Sequence, residues 1–313
     1  MNRLPIQLPI QFRREFWETR GSFVRTPIWI AVVLAALLLM GMVTSSFEIN
    51  MALSELRQSP EQLNELEDGA ELVQALMRGD LFSNHPQVLR MALAAISIPF
   101  VFALLLISQM YLLGCLYSDR KDKSVLFWKS LPVSETRVVL TKLVFGALLG
   151  PAIFLVASLA VGLLHLLMML GFASFQLGVE MPGLGTLLST FIGHSLGLMS
   201  GWLLFALWFA PLFAWLLLAS AWSRKSPFLL AFGLPVAVMV VELWLLRSVN
   251  LWSAMWEPSK QAFEALVQSQ LRPWALLEHW GNALLAPAFW LGGLVTAGFT
   301  AGAIWLRNYR YEL

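Results

Sequence analysis

Six long apolar runs, separated by polar or amphipathic stretches, set the pattern of this chain. They fall at about 28–46, 90–117, 138–170, 186–222, 228–246 and 287–306. Each run is continuous rather than alternating, as helices in lipid are and the strands of a β-barrel are not. A helix needs about 20 residues to cross a bilayer, so each can span. The pattern predicts an all-α integral membrane protein with six transmembrane helices, the whole of 1–313 forming one transmembrane domain. The third run, about 33 residues or about 50 Å of straight helix, must tilt, bend at Pro151 or project beyond the hydrocarbon core of about 30 Å. Pro211 predicts a kink in the fourth.

The polar stretches carry their own periods. In 1–26, positions 12, 16, 19 and 23 share a helical face, and Phe12, Arg14, Glu15, Phe16 and Trp17 predict a helix lying in the membrane interface. The alternative is a basic tail that only fixes topology. Residues 47–88 are acidic, with leucines at roughly helical spacing, and predict an extracytoplasmic cap of two short amphipathic helices. The segment 247–286 is amphipathic and tryptophan-rich, suited to a membrane–water interface.

The loop 118–137 is different in kind. Asp119, Arg120, Lys121, Asp122 and Lys123 are all charged; Val125, Leu126, Phe127 and Trp128 are apolar. Pro132 stops a helix at Leu131, and Ser134 with Glu135 offers an N-cap and a first-turn acid for the next. A short helix over about 122–131 is predicted, with a Phe/Trp face.

Charge adds orientation. With both termini inside, the inner segments hold 15 of the 21 Lys and Arg, among them Arg14, Lys142 and Arg307. The positive-inside rule then places the 118–137 loop and both termini in the cytoplasm. Only 13% of residues are charged, against roughly 25% in soluble domains. The single cysteine, Cys115, cannot pair within the chain, and no Cys/His metal spacing occurs. No cleavable leader is expected at the N-terminus. No catalytic residue and no cofactor of the chain's own is expected.

The stretch from Asp119 to Ser134, DRKDKSVLFWKSLPVS, resembles the first cytoplasmic loop of type-two ABC exporter permeases, with a weaker echo in Arg14 to Glu18. These are the membrane subunits of bacterial ABC transporters whose ATPase is a separate chain. The resemblance implies an inner-membrane permease subunit, a second copy or related permease beside it, and ATP with magnesium in the partner ATPase. It makes 122–131 a coupling helix, with Asp119, Arg120, Asp122, Lys123, Leu126, Phe127, Trp128, Leu131 and Pro132 as coupling residues. Phe127 and Trp128 would anchor, and the charges would act as rim groups that steer the partner. It also allows 247–286 to be re-entrant.

Consistently, no GxxxxGK[ST] phosphate loop is present. A membrane-embedded sensor or immunity protein, signalling through the same loop, is the competing class. An intramembrane enzyme would need paired catalytic groups inside the spans, and none is found. Buried charge is scarce, with Glu242 the clearest case and His165 and His194 as further candidates; an interfacial partner for Glu242 and a packing role for the histidines are the plainer readings. Gly193, Gly197 and Gly201 repeat at four and predict close helix packing, as do the pairs Gly146/Gly150 and Gly298/Gly302. Trp202, Phe205 and Phe209 could line a passage but more simply face a neighbouring helix or lipid.

Overall fold

The computed structural model describes residues 4–58, 86–122, 134–177, 182–248, 253, 260–261, 263–268, 272 and 275–309. The helices are α1 (Leu4–Arg20), α2 (Thr26–Gln58), α3 (Pro86–Lys121), α4 (Glu135–Val144), α5 (Gly150–Leu177), α6 (Leu184–Trp208), α7 (Ala210–Trp222), α8 (Leu234–Leu246), α9 (Leu276–Leu285) and α10 (Pro287–Tyr309). No strand occurs among the described residues. Among the described residues, six helical runs are long and apolar enough to cross a membrane: Gln11–Thr44, Gln87–Lys121, Glu135–Phe175, Leu184–Trp208, Leu229–Leu246 and Pro287–Tyr309. The chain is an all-α, multi-pass membrane protein.

Prolines decide where these helices change pitch. Wide π-helical turns at Gly21–Arg25, Phe145–Leu149 and Leu229–Gly233 each end two residues before a proline: Pro27, Pro151 and Pro235. Proline lacks an N–H and clashes with the carbonyl four residues back, so the turn widens there instead of breaking. In lipid a carbonyl freed this way needs another donor. The Trp202 indole N–H donates to the Ala147 carbonyl at 3.1 Å, and that of Trp215 to Ala231 at 3.0 Å. Both acceptors stand four residues before their proline. Pro211 follows a one-residue interruption at Phe209 between α6 and α7, across which the helical hydrogen bonds Phe209 N–H to Phe205 O (2.8 Å) and Phe213 N–H to Phe209 O (3.0 Å) persist.

The N-terminal segment differs from the sequence expectation. Rather than lying apart from the first span, α1 runs through its π turn into α2 along one uninterrupted helical path. Phe12 and Phe16 pack against the main core, and Phe23 is fully buried within it. The stripe at 12, 16 and 23 therefore faces protein, not lipid. Its hold comes from Phe23, which meets Tyr111, Phe145 and Phe154 edge-on at centroid distances of 5.5–6.2 Å.

Two cores follow from this packing. The larger joins α1–α2, α3, α4–α5, α6–α7 and α10 around Phe100, Leu104, Leu112, Phe145, Phe205 and Phe213; Leu266, from the helical stretch 263–268, also enters it. The smaller, Leu89, Leu93, Leu166, Leu170 and Ala173, closes the far ends of α3 and α5. Lipid-facing side chains stay apolar: Trp29, Ile98, Phe102, Val156, Leu196 and Val240 are all more than half exposed.

Glycines make the close approaches, though not equally. A Cβ at Gly150 would lie 2.7 Å from Phe23 Cδ1, and one at Gly146 2.8 Å from Tyr111 Cδ1. Gly197 and Gly201 are buried in α6, while Gly193 is half-buried. A Cβ at Gly298 would meet nothing within 4 Å, whereas one at Gly302 would lie 3.3 Å from Leu218 Cδ1. Overpacking a full core costs about 1–3 kcal/mol. Gly150→Leu should therefore lower the thermal midpoint in detergent clearly, and Gly298→Leu should leave it nearly unchanged. Equal midpoints for the two variants would refute the packing assignment.

Candidate functional site: a buried charge network at the loop stems

α3 ends at Lys121 and α4 begins at Glu135, on either side of the middle of the 118–137 stretch. Three carboxylates and three cations from four helical segments meet there. Glu15 of α1, Asp119 of α3 and Glu135 of α4 supply the acids; Arg14 of α1, Lys142 of α4 and Arg307 of α10 supply the bases. Lys142 Nζ lies 3.0 Å from Glu15 Oε1 and 3.5 Å from Asp119 Oδ1. Arg307 donates from Nη1 to Asp119 Oδ2 at 3.1 Å and from Nε to Glu135 Oε2 at 2.6 Å. Arg14 Nη2 stands 4.0 Å from Asp119 Oδ1. The Tyr111 hydroxyl donates to Glu15 Oε2 at 2.6 Å.

Burial gives these contacts weight. Glu15 is 4% exposed, Asp119 5%, Lys142 2% and Arg307 7%. Charges taken out of water are costly unless paired and hydrogen-bonded, and this set is balanced in number and joined end to end. The forked guanidinium of Arg307 can reach two carboxylates at once, which a lysine ammonium does with less directional control. The two acids it holds stand at opposite ends of the loop. Arg307 thus ties both stems to the last helix.

A second set of contacts ties the same α3 end to α7. Ser220 Oγ accepts from the Leu116 and Tyr117 amides at 3.1 and 3.0 Å. Arg120 Nη2 donates to the Ser220 carbonyl, in the last turn of α7, at 2.6 Å and to the carbonyl of its C-cap residue Ser223 at 2.8 Å. A cation on the final carbonyls of a helix also meets the negative end of its dipole. The Tyr117 hydroxyl reaches the Lys225 carbonyl at 2.9 Å.

The sequence-predicted site residues divide accordingly. Asp119 and Arg120 are not rim charges: both are drawn into the protein by partners on α7 and α10. The Glu15 carboxylate is held inside the protein by Lys142 and Tyr111. Asp122 is exposed in the turn that closes α3. Ser134 takes an N-cap backbone conformation without a side-chain cap bond, and the Glu135 carboxylate goes to Arg307 instead. Lys123, Leu126, Phe127, Trp128, Leu131 and Pro132 lie outside the described residues, as do most of the predicted cap and part of 247–286. Lys142 and Arg307 are the residues that sequence reasoning passed over. They appeared only as two more inner-side cations.

Other polar side chains among the described spans make local contacts. Ser158 donates to Ser97, whose Oγ lies 3.1 Å from His194 Nε2, stitching α3, α5 and α6. His165 has Val161 and Leu34 carbonyls at 3.1 and 3.3 Å from its two ring nitrogens. Glu242 accepts from Ser248 at 3.3 Å. Trp202 and Phe205 are core residues, and Phe205 stacks on Phe209 with centroids 4.1 Å apart. No protein-family model matches the chain, and no curated protein or solved structure was found similar to it.

Proposed function

We propose that this chain is the permease subunit of a bacterial ABC exporter, driven by a separate ATPase. The observation that carries the reading is the double clamp of Arg307 on Asp119 and Glu135. A docked helix can move a bundle only if its stems are tied to the spans. Here both stems are held to α10, and the first is held to α7 as well. The loop sequence between them resembles a coupling helix, and the two facts suit one another.

On this reading the loop and both termini face the cytoplasm of a bacterial cell. ATP and magnesium bind the partner, and closure of two ATPase chains presses on 122–131. The push enters α3 and α4 through the stems. It passes through Arg307 to α10 and through Arg120 to α7, tilting spans that line a passage between two permease copies.

Native mass spectrometry of the purified complex should find two permease chains with two ATPases. A regulator bound in place of any ATPase would instead favour a membrane-embedded sensor. Reporter fusions after Ser118, Lys225 and Leu313 should read cytoplasmic and one after Gly178 periplasmic. A periplasmic signal at Ser118 would remove the coupling role.

A further inference from the structure

The outward face of α1 carries chemistry that the buried network does not use. Arg13, Trp17 and Arg20 fall at i, i+4 and i+7, within about 60° of one another around the helix and opposite Glu15. All three are exposed. The Arg20 guanidinium carbon stands 5.3 Å from the Trp17 ring centroid, inside cation–π range. The neighbouring carboxylate that would repel an anion, Glu18, is engaged by Arg14 at 2.6 Å.

The depth of this face follows from its neighbours. Glu15 shares the network with Arg307, whose flanking Trp305 and Tyr309 are 58% and 74% exposed, and with Lys142, flanked by exposed Leu140. Exposed Trp and Tyr at the ends of spans mark the membrane–water boundary. Trp17, half a turn from Glu15 and 56% exposed, belongs to the same belt. Two arginines one turn to either side of it then stand at headgroup depth, where long basic side chains reach for lipid phosphates.

We propose that Arg13, Trp17 and Arg20 form a binding surface for the headgroup of an anionic phospholipid from the surrounding leaflet. Selectivity comes from net charge: a zwitterionic headgroup carries its own cation beside the phosphate, whereas an anionic one leaves the phosphate to the two guanidinium groups. The indole face holds Arg20 extended and shields it from bulk water. This surface rests on the membrane-spanning fold alone, not on the transport reading.

The full chain, purified in detergent and offered equal amounts of phosphatidylglycerol and phosphatidylcholine, provides the test by native mass spectrometry. The unmodified protein should retain phosphatidylglycerol preferentially. R13Q/R20Q should reduce that preference about thirtyfold, each basic side chain near an anionic surface contributing a factor of about five. R13K/R20K should keep most of it, and R272Q, at an exposed arginine in another part of the chain, should keep all of it. If the double glutamine variant fails to fold, the single variants carry the same reading, each losing about fivefold. Equal retention of both lipids by the unmodified chain would overturn the proposal, as would an undiminished preference in R13Q/R20Q. Displacement of the lipid by excess inorganic phosphate would also overturn it, reassigning the surface to a free anion.

Discussion

Replacing Arg307 by methionine should destabilise the bundle more than any other single change in the charge network. Asp119 and Glu135 would lose the guanidinium that neutralises both, and Asp119 would stay buried with Lys142 at 3.5 Å and Arg14 only at 4.0 Å. Removing one partner of a buried ion pair costs about 3–5 kcal/mol, because an uncompensated charge is left behind. Arg307→Lys should recover part of the loss, since charge returns but the two-pronged reach does not. The triple variant R307M/D119N/E135Q separates charge from packing: with the acids neutralised, stability should rise above that of R307M. Thermal unfolding in detergent, followed by intrinsic fluorescence, reads each step. An R307M protein as stable as the unmodified chain would show that the clamp holds nothing.

Such a variant also bears on coupling. If the stems transmit force through Arg307, R307K should keep ATPase association while transport per ATP hydrolysed falls. A purely structural arginine would lower folded yield and leave that ratio alone.

The reach of the sequence follows the range of the interactions involved. Six spans were legible because a run of about 20 apolar residues is a local signal and lipid admits little else. The disturbances at Pro151 and Pro211 were legible for the same reason, since proline acts on its own turn. What takes up the freed carbonyls was not, because Trp202 lies 55 residues from Ala147. The charge network was hidden more deeply. Glu15, Asp119, Lys142 and Arg307 each sit within a turn or two of a span's end, the position that topology rules assign to solvated charge. Only their convergence distinguishes them, and no period or spacing in one chain encodes it. The same blindness turned Asp119 and Arg120 into rim charges and hid the continuity of α1 with the first span. One local sign was present: Lys142 stands seven residues into α4, among Val139, Leu143 and Phe145, where a cation needs a partner.

The aromatic pair between the stems carries the second large effect. If 122–131 docks an ATPase, Phe127 and Trp128 are its anchors, since buried aromatics dominate protein interfaces and truncating one commonly costs about 2 kcal/mol or more. That corresponds to roughly a thirtyfold weaker complex for one anchor. The engagement of Asp119 and Arg120 sharpens the expectation, because those two charges are committed to Arg307 and to the end of α7 and leave less of the loop to bind a partner. Of the front charges, Asp122 is exposed and should act on association rate more than on lifetime. Phe127→Ala with Trp128→Ala should leave the protein inserted and its melting midpoint unchanged while ATPase association collapses. Were both aromatics membrane anchors instead, the same change would alter insertion or expression and spare ATPase binding. A pull-down of the ATPase, normalised to membrane-inserted permease and paired with coupled hydrolysis, separates the two. Full association with normal coupling in the double variant would sink the docking role, and with it the main support that the loop sequence lends to the transporter reading.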